Sequence, residues 1–196
     1  MTAAAPTPKE TMKDELATAL AGRPLVLVGM MGAGKTTVGR RLAARLGRHF
    51  TDSDEEVERA AGMSIEDIFA AHGEDDFRAG EQRVIARLLK DHDLVLGTGG
   101  GAFINAETRA LVKANGISVW IKADSDLLFQ RVQRRSNRPL LKTANPRETL
   151  QALIEKRYPI YAEADVTVQS RDVPQDQVAS DIIDALLARF GNSHAE

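Results

Sequence analysis

An α/β fold with a parallel sheet is predicted by three features of this 196-residue chain. Short apolar runs alternate with segments of helical period from about residue 25 to 190. A glycine-rich turn, "GMMGAGKTT" from Gly29 to Thr37, joins the first apolar run to the first strong helical segment. Two later runs end in polar clusters, "DSD" at 52–54 and "GGG" at 99–101, and the carboxyl ends of parallel strands are where such sheets face a ligand crevice.

Each element follows from local pattern. Strands are expected at 25–29 (LVLVG), 48–51 (RHFT), 94–97 (LVLG), 117–121 (ISVWI) and 165–169 (DVTVQ). Helices are expected at about 35–46, 54–61, 65–71, 75–91, 105–114, 125–135, 147–162 and 175–190. Ser64 with Asp67 resembles a capping box, and Asn145-Pro146 offers an N-cap followed by proline in the first turn. Residues 1–22 read as an extension, partly disordered and partly a short amphipathic helix before Pro24. They are followed by one domain over 23–190 and a tail over 191–196. Acidic residues Glu10, Asp14 and Glu15 in the opening stretch argue against a secretory signal.

Composition narrows the class. The chain is 43% hydrophobic and 28% charged with a net charge of −2, which argues against a general nucleic-acid or membrane-surface binder. It has no cysteine, which excludes disulfides and thiolate metal sites. No apolar stretch approaches the roughly 20 residues needed to span a bilayer, and the cytoplasm is the expected location. The four histidines are scattered without ligand spacing.

Gly29, Gly34, Lys35 and Thr36 fit G-x-x-x-x-G-K-[ST] between a buried strand and a helix. Such a loop turns backbone N–H groups toward phosphate oxygens, and the following helix points its positive end at the same place. Lys35 is expected to reach the β- and γ-phosphates and the Thr36 hydroxyl to coordinate Mg²⁺, with ATP as the nucleotide.

Other clusters carry two readings each. Asp52 and Asp54 suit a metal and a bound acceptor, or Asp54 is a helix N-cap before "EEVERAAG". Arg78 and Glu81 share a helical face, as a site pair or an ordinary surface ion pair. Gly99–Gly101 clear side chains from a substrate's approach, or form a flexible turn. The stretch 131–147 has six basic residues and no acidic one, and is a solvated loop or a lid closing on an anion.

Taken together, "GMMGAGKTT", "DSD", Phe77–Arg78 with Glu81, "GGG", "RPLL" at 138–141 and "KRYPIY" at 156–161 resemble the shikimate kinases over about residues 23–190. These are P-loop enzymes of the nucleoside-monophosphate-kinase type. The resemblance implies a P-loop NTPase fold with a five-stranded parallel sheet, helices on both faces, a substrate-binding helical region and a lid at about 134–146. It implies transfer of the ATP γ-phosphoryl to the 3-hydroxyl of shikimate, by a monomer. Its pattern assigns the nucleotide to Gly32, Ala33, Gly34, Lys35, Thr36, Thr37, Arg131 and Arg138, with Arg131 stacked on adenine and Arg138 on the phosphates. Mg²⁺ falls to Thr36 and Asp52. Shikimate falls to Asp54, Phe69, Phe77, Arg78, Glu81, Gly99, Gly100, Gly101 and Arg157, with both arginines on its carboxylate. Lys35, Asp54 and Arg138 are the catalytic residues of that pattern. A gluconate kinase is the nearest rival; a nucleoside-monophosphate kinase and a non-catalytic nucleotide-binding module are the others.

Overall fold

The computed structural model describes residues 8–133 and 145–191. Five strands form one parallel sheet: β1 (Leu25–Val28), β2 (His49–Asp52), β3 (Leu94–Gly97), β4 (Ile117–Lys122) and β5 (Val166–Gln169). Their order is β2-β3-β1-β4-β5. Register pairs Leu25 with both Val95 and Ile117, so β1 lies at the centre with β3 and β4 on its flanks. Burial follows from this order. β1 and β3 are buried at every residue, as inner parallel strands covered on both faces must be, whereas the edge strand β5 alternates buried and exposed.

Among the described residues, eight α-helices and a short 3₁₀ turn (Ala102–Ile104) connect and cover the strands: α1 (Pro8–Leu20), α2 (Lys35–Leu46), α3 (Ser53–Ala61), α4 (Ile65–Leu88), α5 (Ala106–Asn115), α6 (Ser125–Gln133), α7 (Pro146–Tyr161) and α8 (Gln175–Phe190). α8 packs against α1 and α2, while α4 meets α5 and α6 meets α7. The helix expected before Pro24 is α1, and its Leu16 and Leu20 belong to the same buried cluster as the sheet. Burying those two side chains contributes roughly 3–6 kcal/mol.

The polypeptide between β2 and β3 carries a smaller apolar cluster of its own: Val57, Ile68, Phe77 and Val84. The two helices expected at 65–71 and 75–91 are the two arms of α4, which is broken at Gly73, whose φ of 82° and ψ of 176° are not helical. Only glycine enters that region without strain, so the kink sits where the sequence pattern paused. Ser64 caps α4 as expected, its hydroxyl accepting from the Asp67 N–H at 3.1 Å. Asn145 precedes Pro146 at the start of α7 but makes no side-chain cap. No helix among the described residues is long and apolar enough to cross a membrane.

Candidate active site

β1 ends inside the sheet and the chain must turn sharply to start α2 above it. Gly29 cannot carry a side chain there, because a Cβ would stand 2.7 Å from the Ile121 carbonyl. Gly34, at φ 100°, occupies the N-cap position of α2 and offers no capping side chain, and no acidic residue enters the first turn. No side chain caps the N–H groups opening that helix, and a helix start of this kind suits an anion. Lys35 folds back over the loop, its Nζ donating to the carbonyls of Gly29 at 2.8 Å and Met30 at 2.9 Å. Ala33 is fully buried, and its N–H donates to the Met30 carbonyl at 3.2 Å within the loop.

The acidic cluster divides its work. Asp52, the last residue of β2, is the N-cap of α3: its Oδ1 accepts from the Asp54 N–H at 3.1 Å, and its Oδ2 accepts from the Thr36 hydroxyl at 3.0 Å. The capping carboxylate is therefore Asp52, and the reading of Asp54 as the cap is corrected. α3 starts one residue earlier than expected, which puts Asp54 inside its first turn.

The three glycines after β3 are held by the absence of side chains rather than by unusual torsions. A Cβ on Gly99 would stand 2.6 Å from Asp54 Oδ1 and 3.0 Å from Glu81 Oε1. One on Gly100 would stand 3.4 Å from Arg157 Nη1, and one on Gly101 would collide with the Arg78 guanidinium. Four polar side chains from three separate helices thus converge on one bare turn. Ser53 anchors it as well, its hydroxyl accepting from the Gly99 N–H at 3.1 Å.

Arg78 and Glu81 are not a surface pair. Glu81 is 1% exposed, and its Oε2 accepts from Arg78 Nη1 at 2.7 Å while Oε1 is buried without a partner among the described residues. Burial pushes the Glu81 carboxyl above its ordinary value, against the pull of Arg78, and Asp54 and Glu74 add to the rise. Burial also lowers Arg78, but Glu81 and Glu74 outweigh it and leave the guanidinium above its ordinary value. Arg78 also lies over the Phe77 ring, 4.9 Å from its centroid, and Phe77 packs on Phe69 at 4.7 Å. Phe69 is 37% exposed and stands at the margin.

A cavity of about 620 Å³ joins the phosphate loop to the two aspartates and the glycine turn, lined among others by Gly34, Lys35, Thr36, Thr37, Asp52, Asp54, Gly99 and Gly100, whereas Arg78, Glu81, Arg157, Phe69 and Phe77 do not line it. Gly32 and Arg131 line its far end. Arg131 donates to Ser170 Oγ and to the Arg171 carbonyl, each at 2.9 Å, beside the Gly32 and Ala33 carbonyls. Gln175, which the sequence did not single out, also lines the cavity, with a buried Oε1 that has no partner among the described residues. No motif signals it, since it reaches the loop only because α8 packs on α2. Arg138 and residues 134–144 of the expected lid lie outside the described residues.

Fold and loop together define a P-loop nucleotide-binding protein. A family model described as shikimate kinase matches residues 31–187. The shikimate kinase of Rhizobium leguminosarum bv. trifolii is 54% identical over 178 residues, 91% of this chain and 91% of that protein. That of Bradyrhizobium diazoefficiens is 52% identical over 181 residues, 92% and 87% of the two. A solved structure of shikimate kinase from Acinetobacter baumannii in complex with shikimate superposes with a TM-score of 0.81 at 43% identity, covering 85% of this chain and 93% of that one. A gluconokinase from Sinorhizobium meliloti shares the fold at 19% identity, with a TM-score of 0.61 over 87% of this chain and 95% of that one. The chain belongs to the shikimate kinase family.

Proposed function

We infer that this enzyme transfers the γ-phosphoryl of ATP to the 3-hydroxyl of shikimate, giving shikimate 3-phosphate and ADP. The observation that carries the reading is the convergence of Asp54, Glu81, Arg78 and Arg157 on Gly99–Gly101, beside an uncapped phosphate loop. Two guanidiniums suit a carboxylate, since each presents a planar fork that a lysine ammonium lacks. A carboxylate oxygen at Asp54 suits the hydroxyls of the same ring.

The chemistry is mainly positioning and charge neutralisation. The backbone of Gly32, Ala33 and Gly34 and the side chains of Lys35, Thr36 and Thr37 receive the phosphates. Arg131, next to the 170–171 turn, receives the adenine. Asp54 accepts a hydrogen bond from the attacking hydroxyl and orients it, and a loose transition state asks little more of a base. Phe69, Phe77 and Glu81 hold Arg78 toward the acceptor. Arg138 keeps the phosphate role that the family pattern gives it.

Mg²⁺ fits the residues present. Thr36 Oγ1 and Asp52 Oδ2 are hard oxygen donors 3.0 Å apart beside the phosphate loop. Mg²⁺ keeps several waters and takes one or two protein oxygens beside substrate phosphates, a demand these two donors suit. When bound it supplies positive charge to the phosphate oxygens. A monomer in the cytoplasm completes the reading.

The test is a coupled ADP-release assay with ATP and Mg²⁺ against shikimate, gluconate and nucleoside monophosphates. Shikimate is expected to drive turnover far above the others. Folded protein without shikimate-dependent ADP release refutes the reading.

A further inference from the structure

Tyr161 is the last residue of α7 and is completely buried. Its ring lies among Trp120, with centroids 5.9 Å apart, and Tyr158, at 6.4 Å. A buried hydroxyl needs a partner, and this one donates to the carbonyl of Gly100, in the middle of the glycine turn. The same carbonyl accepts a second hydrogen bond, from Arg157 Nη1 at 3.3 Å. Arg157 is four residues earlier on α7, so the two side chains leave one face of the helix and meet on one oxygen.

The phosphate loop reaches the same point. Met30 Sδ lies 4.0 Å from the Tyr161 hydroxyl. A Cβ on Gly100 would stand 3.6 Å from the Gly29 carbonyl and 3.7 Å from the Met31 N–H nitrogen. Pro159, inside the last turn of α7, lacks the N–H that would tie that turn to the preceding one. The end of the helix therefore depends more on its side chains for position.

We propose that Tyr161 is a positioning residue for the acceptor: through the Gly100 carbonyl its hydroxyl holds Arg157 and the glycine turn in register with the phosphate loop. The proposal rests on the reading of Arg157 as a carboxylate grip. Burial pushes the hydroxyl up to about 12, so it remains a donor throughout the working pH range. Without it, Gly100 keeps only the longer bond from Arg157, and the guanidinium gains freedom that the acceptor must pay to remove.

Tyr161→Phe keeps the ring and deletes the hydroxyl. Its KM for shikimate is expected to rise about three- to tenfold, the range of one lost hydrogen bond, while the KM for ATP stays within about twofold. With the neutral amide of shikimate as acceptor, the difference between variant and wild type is expected to disappear, since Arg157 then has no carboxylate to grip. An unchanged KM for shikimate, an equal rise for ATP, or the same penalty with the amide overturns the proposal. Wild-type protein inactive on shikimate would instead overturn the family activity, so the two failures are distinct. If Tyr161→Phe does not fold, wild-type protein provides the test. It has only two tyrosines, so fluorotyrosine labelling gives two ¹⁹F resonances, assigned with Tyr158→Phe. The Tyr161 resonance is expected to shift on adding shikimate, and a resonance that does not move overturns the proposal.

Discussion

Gly99→Ala tests the geometry of the acceptor site with a single methyl group. The new Cβ would stand 2.6 Å from Asp54 Oδ1 and 3.0 Å from Glu81 Oε1, short of the 3.4 Å where ordinary contact begins by about 0.8 Å and about 0.4 Å. Glu81 cannot yield, because it is buried and bound to Arg78. Asp54 must move instead, by most of an ångström. A displacement near 1 Å in a positioned reacting group costs up to about a hundredfold in rate. The expected fall in kcat is therefore about 10- to 100-fold. Stability should change little, by about 1 kcal/mol at the low end of overpacking costs, which lowers Tm by about 2–4 °C for a chain of this size. Steady-state ADP release and thermal denaturation measure the two quantities. Gly80→Ala is the control, since its Cβ would meet only Arg83 Nη2, at 3.9 Å. Gly99→Ala with kcat within twofold of wild type and Tm unchanged would refute the reasoning.

Three further outcomes follow from the same geometry. Lys35→Ala should cut turnover at least about a hundredfold with the fold intact, because the proposed role of its ammonium is on phosphates and not on the core; activity within a few-fold of wild type would contradict the reading of the loop. Arg78→Lys keeps the charge but loses the planar fork, so the KM for shikimate should rise while ATP affinity changes little, and a change mainly in ATP binding would place Arg78 elsewhere. The raised Tyr161 hydroxyl makes stability fall with rising pH: the unfolded chain sheds this proton near pH 10.0 and the folded protein near pH 12. Above that window the loss is about 3 kcal/mol. Tyr161→Phe should therefore lose less Tm than wild type between pH 10 and 12, and equal slopes would show that the buried hydroxyl is not responsible.

What the chain determines alone is local. The five strands and the phosphate loop were legible because each depends on neighbours within a few residues: an apolar run, a glycine spacing, a lysine at a fixed offset. The pause at Gly73 was visible for the same reason, since a break in helical period needs no distant partner. The order β2-β3-β1-β4-β5 was not, because which strands pair is set by how whole helices cover the sheet. Local pattern leaves the cap of α3 open between two aspartates two positions apart, and the fold gives it to Asp52. Thr36, sixteen residues earlier, also shares the Asp52 carboxylate, and only the folded chain brings it there. Spacing alone leaves Arg78 and Glu81 open between a site pair and a surface pair, and only packing buries Glu81. Gln175 carries no local signature, and Tyr161, though it closes the "KRYPIY" stretch, finds the partner of its hydroxyl in a turn 61 residues earlier. The site therefore divides by the range of its forces. Turn chemistry and helix polarity prepared the phosphate end within one stretch of chain. The proposed acceptor end forms only where α3, α4 and α7 press four polar side chains against a turn that has none.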